Sequence, residues 1–469
     1  MHLMKLKLLY LLVIAGFYSC SNESPKPTST WLGGEIVNPY SDYIVLEKDD
    51  IIIDTIRLDE NNFFLYKIDS VEAGLYSFNH KEFQLIFIEP GDSIMFRVNT
   101  IEFDESLAFS GIGSEKNNFL INRFLQNEAE NKLIPKYYKL SPELFIEKID
   151  SLHLEKEVAF TRLKQKHVLT TEYIEFGQAS IDYYYFSKKE IYPLAHYGRN
   201  KLLEIENLPN DFFNYRSKIN FTNDNFNSFY LYEMFLNKYF DNISYNQYLK
   251  DSPYNMNSYL HNAIKLKLID SIVSNTELKN KLTFNASKDY LISAEDYTKS
   301  NDILSLFLEY NTNQYQQESI KNLVKYCEKM IPGNSLPNQL LGTSDKTIKD
   351  LHSVFRKPTV LFFWSLRLKR HYKNLHVKAD ELRLKYPEID FIAINIDESQ
   401  EKWLNEISNR SYNTKYEYRF DDTKLARKSL IINSINKAII VDEKGVIINN
   451  NTNLFGTKFE EQLLGFLNK

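Results

Sequence analysis

Cysteine is almost missing from the sequence: its 469 residues contain two, Cys20 and Cys327. Exported proteins commonly pair cysteines as disulfides, and thiol–disulfide enzymes use two neighbouring thiols. Cys20 ends an apolar amino-terminal stretch typical of a processed targeting signal, which leaves Cys327 as the thiol of the folded chain. The sequence therefore predicts neither an internal disulfide nor a dithiol site.

Glycine and proline are scarce, at 14 and 13 residues, whereas tyrosine and phenylalanine reach 32 each. This composition is typical of a packed globular chain rather than a disordered one. The formal net charge is −5, so the chain lacks the broad basic surface that binds nucleic acids, and no nucleic-acid partner is expected. The length exceeds what one core usually organises, and two or three domains are expected.

The lone remaining thiol lies in a segment with helical periodicity. Ile320, Leu323, Cys327 and Met330 fall on one face of that helix. Buried cysteine usually packs as a small apolar residue. We therefore expect Cys327 to be structural and unreactive.

The amino terminus, MHLMKLKLLYLLVIAGFYSC, has basic residues, an apolar run and a small residue before Cys20, the order of a secretory signal. The run from Leu8 to Phe17 is too short to cross a bilayer comfortably. The ending FYSC resembles a bacterial lipobox, which implies cleavage before Cys20 and attachment of a lipid such as palmitate. A plain signal peptide with an incidental Cys20 is the alternative. We predict a lipoprotein signal peptide at 1–19, a polar tether at 20–30, and membrane attachment through the lipid.

The rest of the chain falls into three patterns. Residues 31–112 alternate short apolar runs with polar turns, which predicts a small β-sandwich-like domain. Residues 113–331 carry apolar residues at helical spacing and predict a helical domain. In residues 332–469 strands and helices alternate, as in α/β layers. The predicted fold class is multidomain α+β, with an N-terminal small β domain, a central helical region and a C-terminal α/β domain.

One stretch of the last domain, KPTVLFFWSLRLKRHYKNL, joins two patterns. Thr359 to Trp364 is a continuous apolar and aromatic run typical of a buried strand. Ser365 follows as a candidate N-cap. α/β proteins usually place chemistry where such strands end and helices begin, so this turn is the candidate functional site. The following helix has one apolar face, formed by Tyr372, Leu375, Ala379, Leu382 and Tyr386.

The order strand, long helix, strand, helix, hairpin, helix resembles the thioredoxin fold. The strand PTVLFFW and the hairpin IVDEKGVI are similar to those of the TlpA-like branch exported by bacteria, and Gly333, Leu336 and Pro337 match the start of its domain. The resemblance implies that residues 332–469 form a thioredoxin-like domain. More loosely, the preceding part resembles Bacteroidetes-type lipoproteins, in which a small β domain and a helical segment precede a TlpA-like domain.

The family's chemistry needs a Cys-x-x-Cys at the strand-to-helix turn, where the first thiol attacks as a thiolate and the second resolves the mixed disulfide. The resemblance places these thiols at Leu368 and His371, or in another register at Ser365 and Leu368. The family's cis-proline falls at Asn436, where a non-proline cis bond would cost ~3 kcal/mol, so a trans bond is expected. The sequence thus predicts a degenerate thioredoxin site with no catalytic residue, metal or cofactor.

The turn is rich in basic side chains, which could bind an anion or an acidic partner. We favour a solvated helix face, on which lysine and arginine stems cover apolar surface. His371 and His376 are five positions apart, so they do not form a metal pair on one helix face. The basic side chains are Arg367, Lys369, Arg370, His371 and Lys373.

Together these features predict a lipid-anchored protein of the cell envelope, at the periplasmic face or the outer membrane. Its redox-inactive thioredoxin-like domain would be a binding or scaffolding module, with an envelope protein as partner, and the chain is interpreted as a non-enzyme. One alternative is a thiol–disulfide oxidoreductase-family protein of the TlpA/ResA-like kind with a divergent site. Another is an envelope protein that binds a small ligand in the cleft between its helical and α/β domains.

Overall fold

The structure is a computed structural model that describes residues 29–49, 51–197, 208–222, 226–227, 229–248, 254–294 and 296–467. The predicted signal peptide and the predicted lipidation site, Cys20, lie outside these residues. The chain divides into two compact units. Among described residues, unit 1 runs from 29 to 236 except 197 and 220–222, and unit 2 contains those exceptions and 237–467. The domain boundaries drawn from the sequence stay predictions.

Unit 1 begins with two β-sheets that share one core. Within the described residues the strand orders are β4-β1-β7-β8 and β3-β2-β5-β6. Alternating apolar residues of both sheets meet between them, and the rings of Phe78 and Phe96 stack with centroids 4.4 Å apart. The strands are β1 (Thr30–Val37), β2 (Tyr43–Lys48), β3 (Ile51–Arg57), β4 (Phe63–Ile68), β5 (Gly74–His80), β6 (Glu82–Ile88), β7 (Ser93–Asn99) and β8 (Ala108–Ile112).

Helices follow the β domain, as the helical periodicity predicted. Before the helix Pro142–Lys166, the side chain of Ser141 accepts a hydrogen bond from the amide of Leu144, so the Ser-Pro signal does start a helix. Helix α6 contributes its first residues to unit 1 and the others to unit 2. The helices are α1 (Phe103–Ser106), α2 (Ser114–Asn131), α3 (Ile134–Tyr137), α4 (Pro142–Lys166), α5 (Thr171–Tyr197) and α6 (Tyr230–Asn246).

Unit 2 adds four helices within its described part, followed by an α/β domain. The helices are α7 (Tyr259–Ile272), α8 (Thr276–Ser293), α9 (Ser300–Tyr310) and α10 (Gln314–Lys329). The strands are β9 (Leu340–Gly342), β10 (Ile348–Asp350), β11 (Thr359–Trp364), β12 (Asp390–Asn395), β13 (Glu417–Phe420), β14 (Ala438–Val441) and β15 (Ile447–Thr452). The α/β domain has helices α11 (Lys369–Lys385), α12 (Gln400–Asn409), α13 (Thr423–Ser429) and α14 (Phe459–Leu467).

The described strands of unit 2 form one sheet in the order β10-β9-β13-β12-β11-β14-β15. Its centre, β13-β12-β11, is parallel, and its outer pairs are antiparallel. Every residue of β11 is buried, and α11 covers it with the apolar face predicted from the sequence, including Tyr372, Leu375 and Ala379. The predicted fold class is confirmed. No helix among the described residues is both long and apolar enough to cross a membrane.

Candidate functional site

The turn between β11 and α11 is held by the carboxylate of Asp397, which lies just after the neighbouring strand β12. Ser365 Oγ donates to Asp397 Oδ1 at 2.6 Å, and the amide of Leu366 donates to Oδ2 at 2.6 Å. Asn395 Nδ2 also donates to Oδ2, at 3.0 Å. Because β11 and β12 are parallel, their carboxyl ends lie side by side, so polar residues that follow the two strands meet there. Asp397 therefore fixes the path of the turn.

The prediction that Ser365 is the N-cap of the helix is wrong. Helix α11 begins at Lys369, Leu368 occupies the cap position, and no side chain accepts from its first turn. Ser365 Oγ accepts from the amide of Arg367 at 3.3 Å while donating to Asp397. A hydrogen bond to a carboxylate is stronger than one between neutral groups, which keeps the serine in the turn.

His371 and Asn436 are brought together, although they are far apart in the sequence. His371 Nε2 lies 2.6 Å from Asn436 Oδ1. Since an amide oxygen only accepts, the imidazole carries its proton on Nε2. Its Nδ1 is buried and has no hydrogen-bond partner among the described residues. Leu368, by contrast, is 46% exposed and takes no part in this contact.

The loop that ends in Asn436 has no cis peptide, and the structure contains none in the part of the chain that it describes. A groove of about 470 Å³ opens beside Asn436. Its wall includes the amide side chains of Asn433, Asn436, Asn451 and Asn453, together with hydroxyl and lysine side chains. Amides both donate and accept hydrogen bonds, so this groove suits polar groups such as a peptide backbone.

The basic side chains at the start of α11 point away from the core. Arg367, Lys369 and Arg370 are exposed, and none of them forms an ion pair with another described residue. The first turn of the helix contains no acidic residue. This exposure fits the solvated helix face favoured from the sequence.

A buried histidine–carboxylate pair lies against the end of β11. His376 Nε2 is 3.0 Å from Glu417 Oε1, and its Nδ1 is 2.7 Å from the carbonyl of Tyr372. The ring centroids of His376 and Trp364 are 5.2 Å apart. Burial raises the pKa of Glu417, and the hydrogen bond from His376 opposes part of that rise. This pair was not predicted from the sequence; it ties α11 to β13 and is closed to solvent.

Cys327 and Lys437 are buried in unit 2. Cys327 is fully buried on α10, as predicted, and burial raises the pKa of its thiol to about 12. Lys437 follows Asn436 and is 2% exposed. Its Nζ donates to the carbonyls of Leu430 and Ile431 at 3.0 and 2.9 Å. Burial lowers the pKa of Lys437 to about 7. Lys437 lies in the wall of the groove beside Asn436, with its amine hydrogen-bonded to these two carbonyls.

One set of described side chains could hold a metal ion, and it lies in unit 1. Ligand atoms of His153, Glu157 and Asp182 all fall within 4.8 Å of one another. His153 Nε2 is 2.8 Å from Asp182 Oδ1, and Gln178 Nε2 contacts both carboxylates. These contacts already join α4 to α5 by hydrogen bonds, and the set is outside the α/β domain.

Among the residues that shape the turn, Asp397 was missed by the sequence analysis. Its signal was present, since the strand FIAIN is followed directly by Ile396 and Asp397. A polar residue just after a buried parallel strand lies at the edge where such proteins place their sites. The same reasoning that selected Ser365 would have selected Asp397.

Comparison with known proteins bears on the α/β domain. A thioredoxin-like family model matches residues 356–447. No curated protein matches the chain. A thioredoxin-like protein from Bacteroides caccae is 11% identical, with 53% of this chain and 89% of that chain covered and a TM-score of 0.37.

Two further solved structures match over a shorter part of the chain. The thioredoxin domain of a thiol-disulfide oxidoreductase from Bacteroides vulgatus is 18% identical, covering 29% of this chain and 96% of its own, with a TM-score of 0.24. An exposed lipoprotein thioredoxin from Streptococcus pneumoniae is 14% identical, with 28% of this chain and 98% of that chain covered and a TM-score of 0.23. The family match identifies a thioredoxin-like domain at residues 356–447 of this chain, after a β-sheet domain and a helical middle.

Proposed function

We propose that this protein is a lipid-anchored envelope protein whose thioredoxin-like domain binds a partner and does not exchange disulfides. One observation carries the proposal. Where the family resemblance places a thiol and the facing proline, His371 and Asn436 form a 2.6 Å hydrogen bond, and residues 356–447 contain no cysteine. The lipid anchor rests on the sequence around Cys20.

Thiol–disulfide exchange requires a thiolate that attacks a disulfide sulfur and a second thiol that resolves the product. The hydroxyl of Ser365 cannot form a mixed disulfide, and its proton is engaged by Asp397. Leu368 has no nucleophilic atom. The Nε2 proton of His371 is engaged by Asn436. The turn therefore offers no group that performs the family's chemistry.

The same surface is suited to recognition. The groove beside Asn436 is lined by the amide side chains of Asn433, Asn451 and Asn453. Two of their polar atoms are already engaged, because Nδ2 of Asn433 donates to the carbonyl of Ile292 and Oδ1 of Asn453 accepts from the amide of Phe455. The amide atoms that remain match the N–H and C=O groups of an extended peptide. A lipid at Cys20 would hold the domain near a membrane, where envelope proteins are at high local concentration. We propose an exposed peptide segment of such a protein as the partner.

An insulin-reduction assay tests the redox part of this proposal. We expect no turnover above a boiled control for the unmodified protein, and the same result for Cys327→Ser. A variant with Leu368→Cys and His371→Cys restores the family spacing on this scaffold and should gain measurable insulin reduction, which shows that the assay detects a working turn. Reductase activity in the unmodified protein that is lost in Cys327→Ser would favour the oxidoreductase alternative.

A further inference from the structure

A cavity of about 320 Å³ lies inside unit 1, between β6, α2, α5 and the residues that start α6. Small-molecule sites usually enclose roughly 300–1,000 Å³, so the volume is sufficient for a small ligand. Most of the wall is apolar, which favours a ligand with an apolar body. The apolar side chains of the wall include Phe83, Leu120, Phe124, Phe176 and Phe229.

Arg123 places a positive charge in this apolar wall. The residue is 7% exposed, and its Nε and Nη1 are buried with no hydrogen-bond partner in the described part of the chain. The guanidinium carbon lies 5.0 Å from the ring centroid of Phe119, a contact that leaves those N–H groups unpaired. Burial lowers the pKa of Arg123, but a guanidinium remains protonated in proteins.

No carboxylate in the described part of the chain forms an ion pair with Arg123. Glu130 is the carboxylate with the largest effect on the pKa of Arg123. It accepts hydrogen bonds from Lys156 Nζ at 3.1 Å and from the Tyr185 hydroxyl at 2.9 Å. Two other buried cations of unit 1 do have carboxylate partners: Lys116 pairs with Asp92 at 2.9 Å, and Lys156 pairs with Glu130. A desolvated cation without an acceptor is costly to a fold. An anionic group in the cavity would remove that cost.

We propose that this cavity binds a small apolar carboxylate. Its head group would accept hydrogen bonds from Arg123, because a guanidinium binds carboxylates through short, charge-assisted N–H···O contacts. Its hydrocarbon or aromatic part would occupy the space between Leu120, Phe176 and Phe229. The ligand class follows from one cation set in an apolar wall, and the site is separate from the thioredoxin-like domain.

Isothermal titration calorimetry of the full chain with decanoate, and with decanol as the uncharged match, tests the proposal. The unmodified protein should bind decanoate at least about tenfold more tightly than decanol, because the alcohol cannot pair with the buried charge. Arg123→Met should lower the affinity for decanoate to a value similar to the affinity for decanol. Arg97→Met removes an arginine that is 61% exposed and paired with Glu35, and should leave decanoate binding unchanged.

Two further measurements separate a ligand site from a structural arginine. Thermal unfolding without ligand should show Arg123→Met as stable as the unmodified protein or more so, since an unpaired buried charge is lost. Ser180→Phe, which fills the cavity from α5 and keeps Arg123, should abolish decanoate binding. Equal binding of acid and alcohol by the unmodified protein, or no binding of either, would overturn the proposal whatever the variants do.

Discussion

His371 on α11 donates a hydrogen bond from Nε2 to the side-chain oxygen of Asn436, 2.6 Å away on the loop before β14. The contact links the start of the helix to the facing loop. In the thioredoxin-like resemblance these two positions would carry a thiol and a proline. The two positions that the resemblance singles out are therefore joined by a hydrogen bond between His371 Nε2 and Asn436 Oδ1, while His371 Nδ1 keeps no partner among the described residues.

We predict that the imidazole of His371 is a single tautomer, protonated on Nε2, because Asn436 can only accept from it. Asn436→Ala removes the acceptor, so the tautomers should redistribute, at a cost in stability of no more than about 1 kcal/mol. Long-range ¹H–¹⁵N spectra of the neutral imidazole at alkaline pH measure the tautomer. Asn433→Ala, in the same loop, should keep the Nε2 form. A mixture of tautomers in the unmodified protein would contradict the contact.

Periodicity in the sequence was enough to predict the α/β domain. The continuous apolar run of β11 and the spacing of Tyr372, Leu375 and Ala379 identify a buried strand and the helix face that covers it, because burial imposes those repeats. The β domain and the helical middle were visible for the same reason. These features depend on residues that are close together in the chain.

The contacts that shape the site were not predictable in this way. His371 and Asn436 are 65 positions apart, and periodicity gives the face of a residue but not its partner. Ser365 has the local signal of an N-cap, but Asp397, in the loop after β12, competes for its hydroxyl. Lys437 lies in a polar loop, where lysine is normally exposed. In each case a tertiary contact decides the outcome.

The lipid anchor is tested by Cys20→Ala. We expect the unmodified protein, made in a bacterium that processes lipoproteins, to enter the detergent phase in a detergent-partition experiment, since two or more acyl chains anchor a protein stably. The variant should stay in the aqueous phase or remain uncleaved. Ser19→Ala keeps a small residue before the cysteine and should partition like the unmodified protein. Equal partitioning of the Cys20 variant would exclude acylation at that residue.

Cys327 should be nearly unreactive in the folded protein. The thiol is fully buried and burial raises its pKa to about 12, so the reactive thiolate is rare at neutral pH. In the Cys20→Ala background, labelling with a chromogenic disulfide reagent should be slow in buffer and fast in denaturant. Val377→Cys, placed at a position that is 59% exposed on α11, should add one thiol that labels rapidly. Rapid labelling of Cys327 in the folded protein would contradict this prediction and would favour a reactive role for this single thiol.

Lys437 should make the stability of the protein rise with pH above neutrality. Burial lowers the pKa of Lys437 from 10.5 to about 7 in the folded protein. Between these two values the unfolded chain binds the proton and the folded chain does not, so the free energy of unfolding increases with pH, and the contribution is lost as pH falls through the folded pKa. Because a tenfold change in proton affinity corresponds to about 1.4 kcal/mol, the expected change in the free energy of unfolding is a few kcal/mol.

Lys437→Met isolates this contribution, because it removes the titrating group and keeps an unbranched side chain of similar length. The neutral amine still donates to the carbonyls of Leu430 and Ile431, and methionine cannot. Relative to the unmodified protein, the free energy of unfolding of the variant should therefore be highest near pH 6, where the buried charge is costly, and lowest near pH 10. Urea unfolding at both pH values measures the difference. Lys444→Met, at an exposed hairpin position, should show no such trend. If the stabilities of Lys437→Met and the unmodified protein changed with pH in parallel, Lys437 would keep its proton across this pH range.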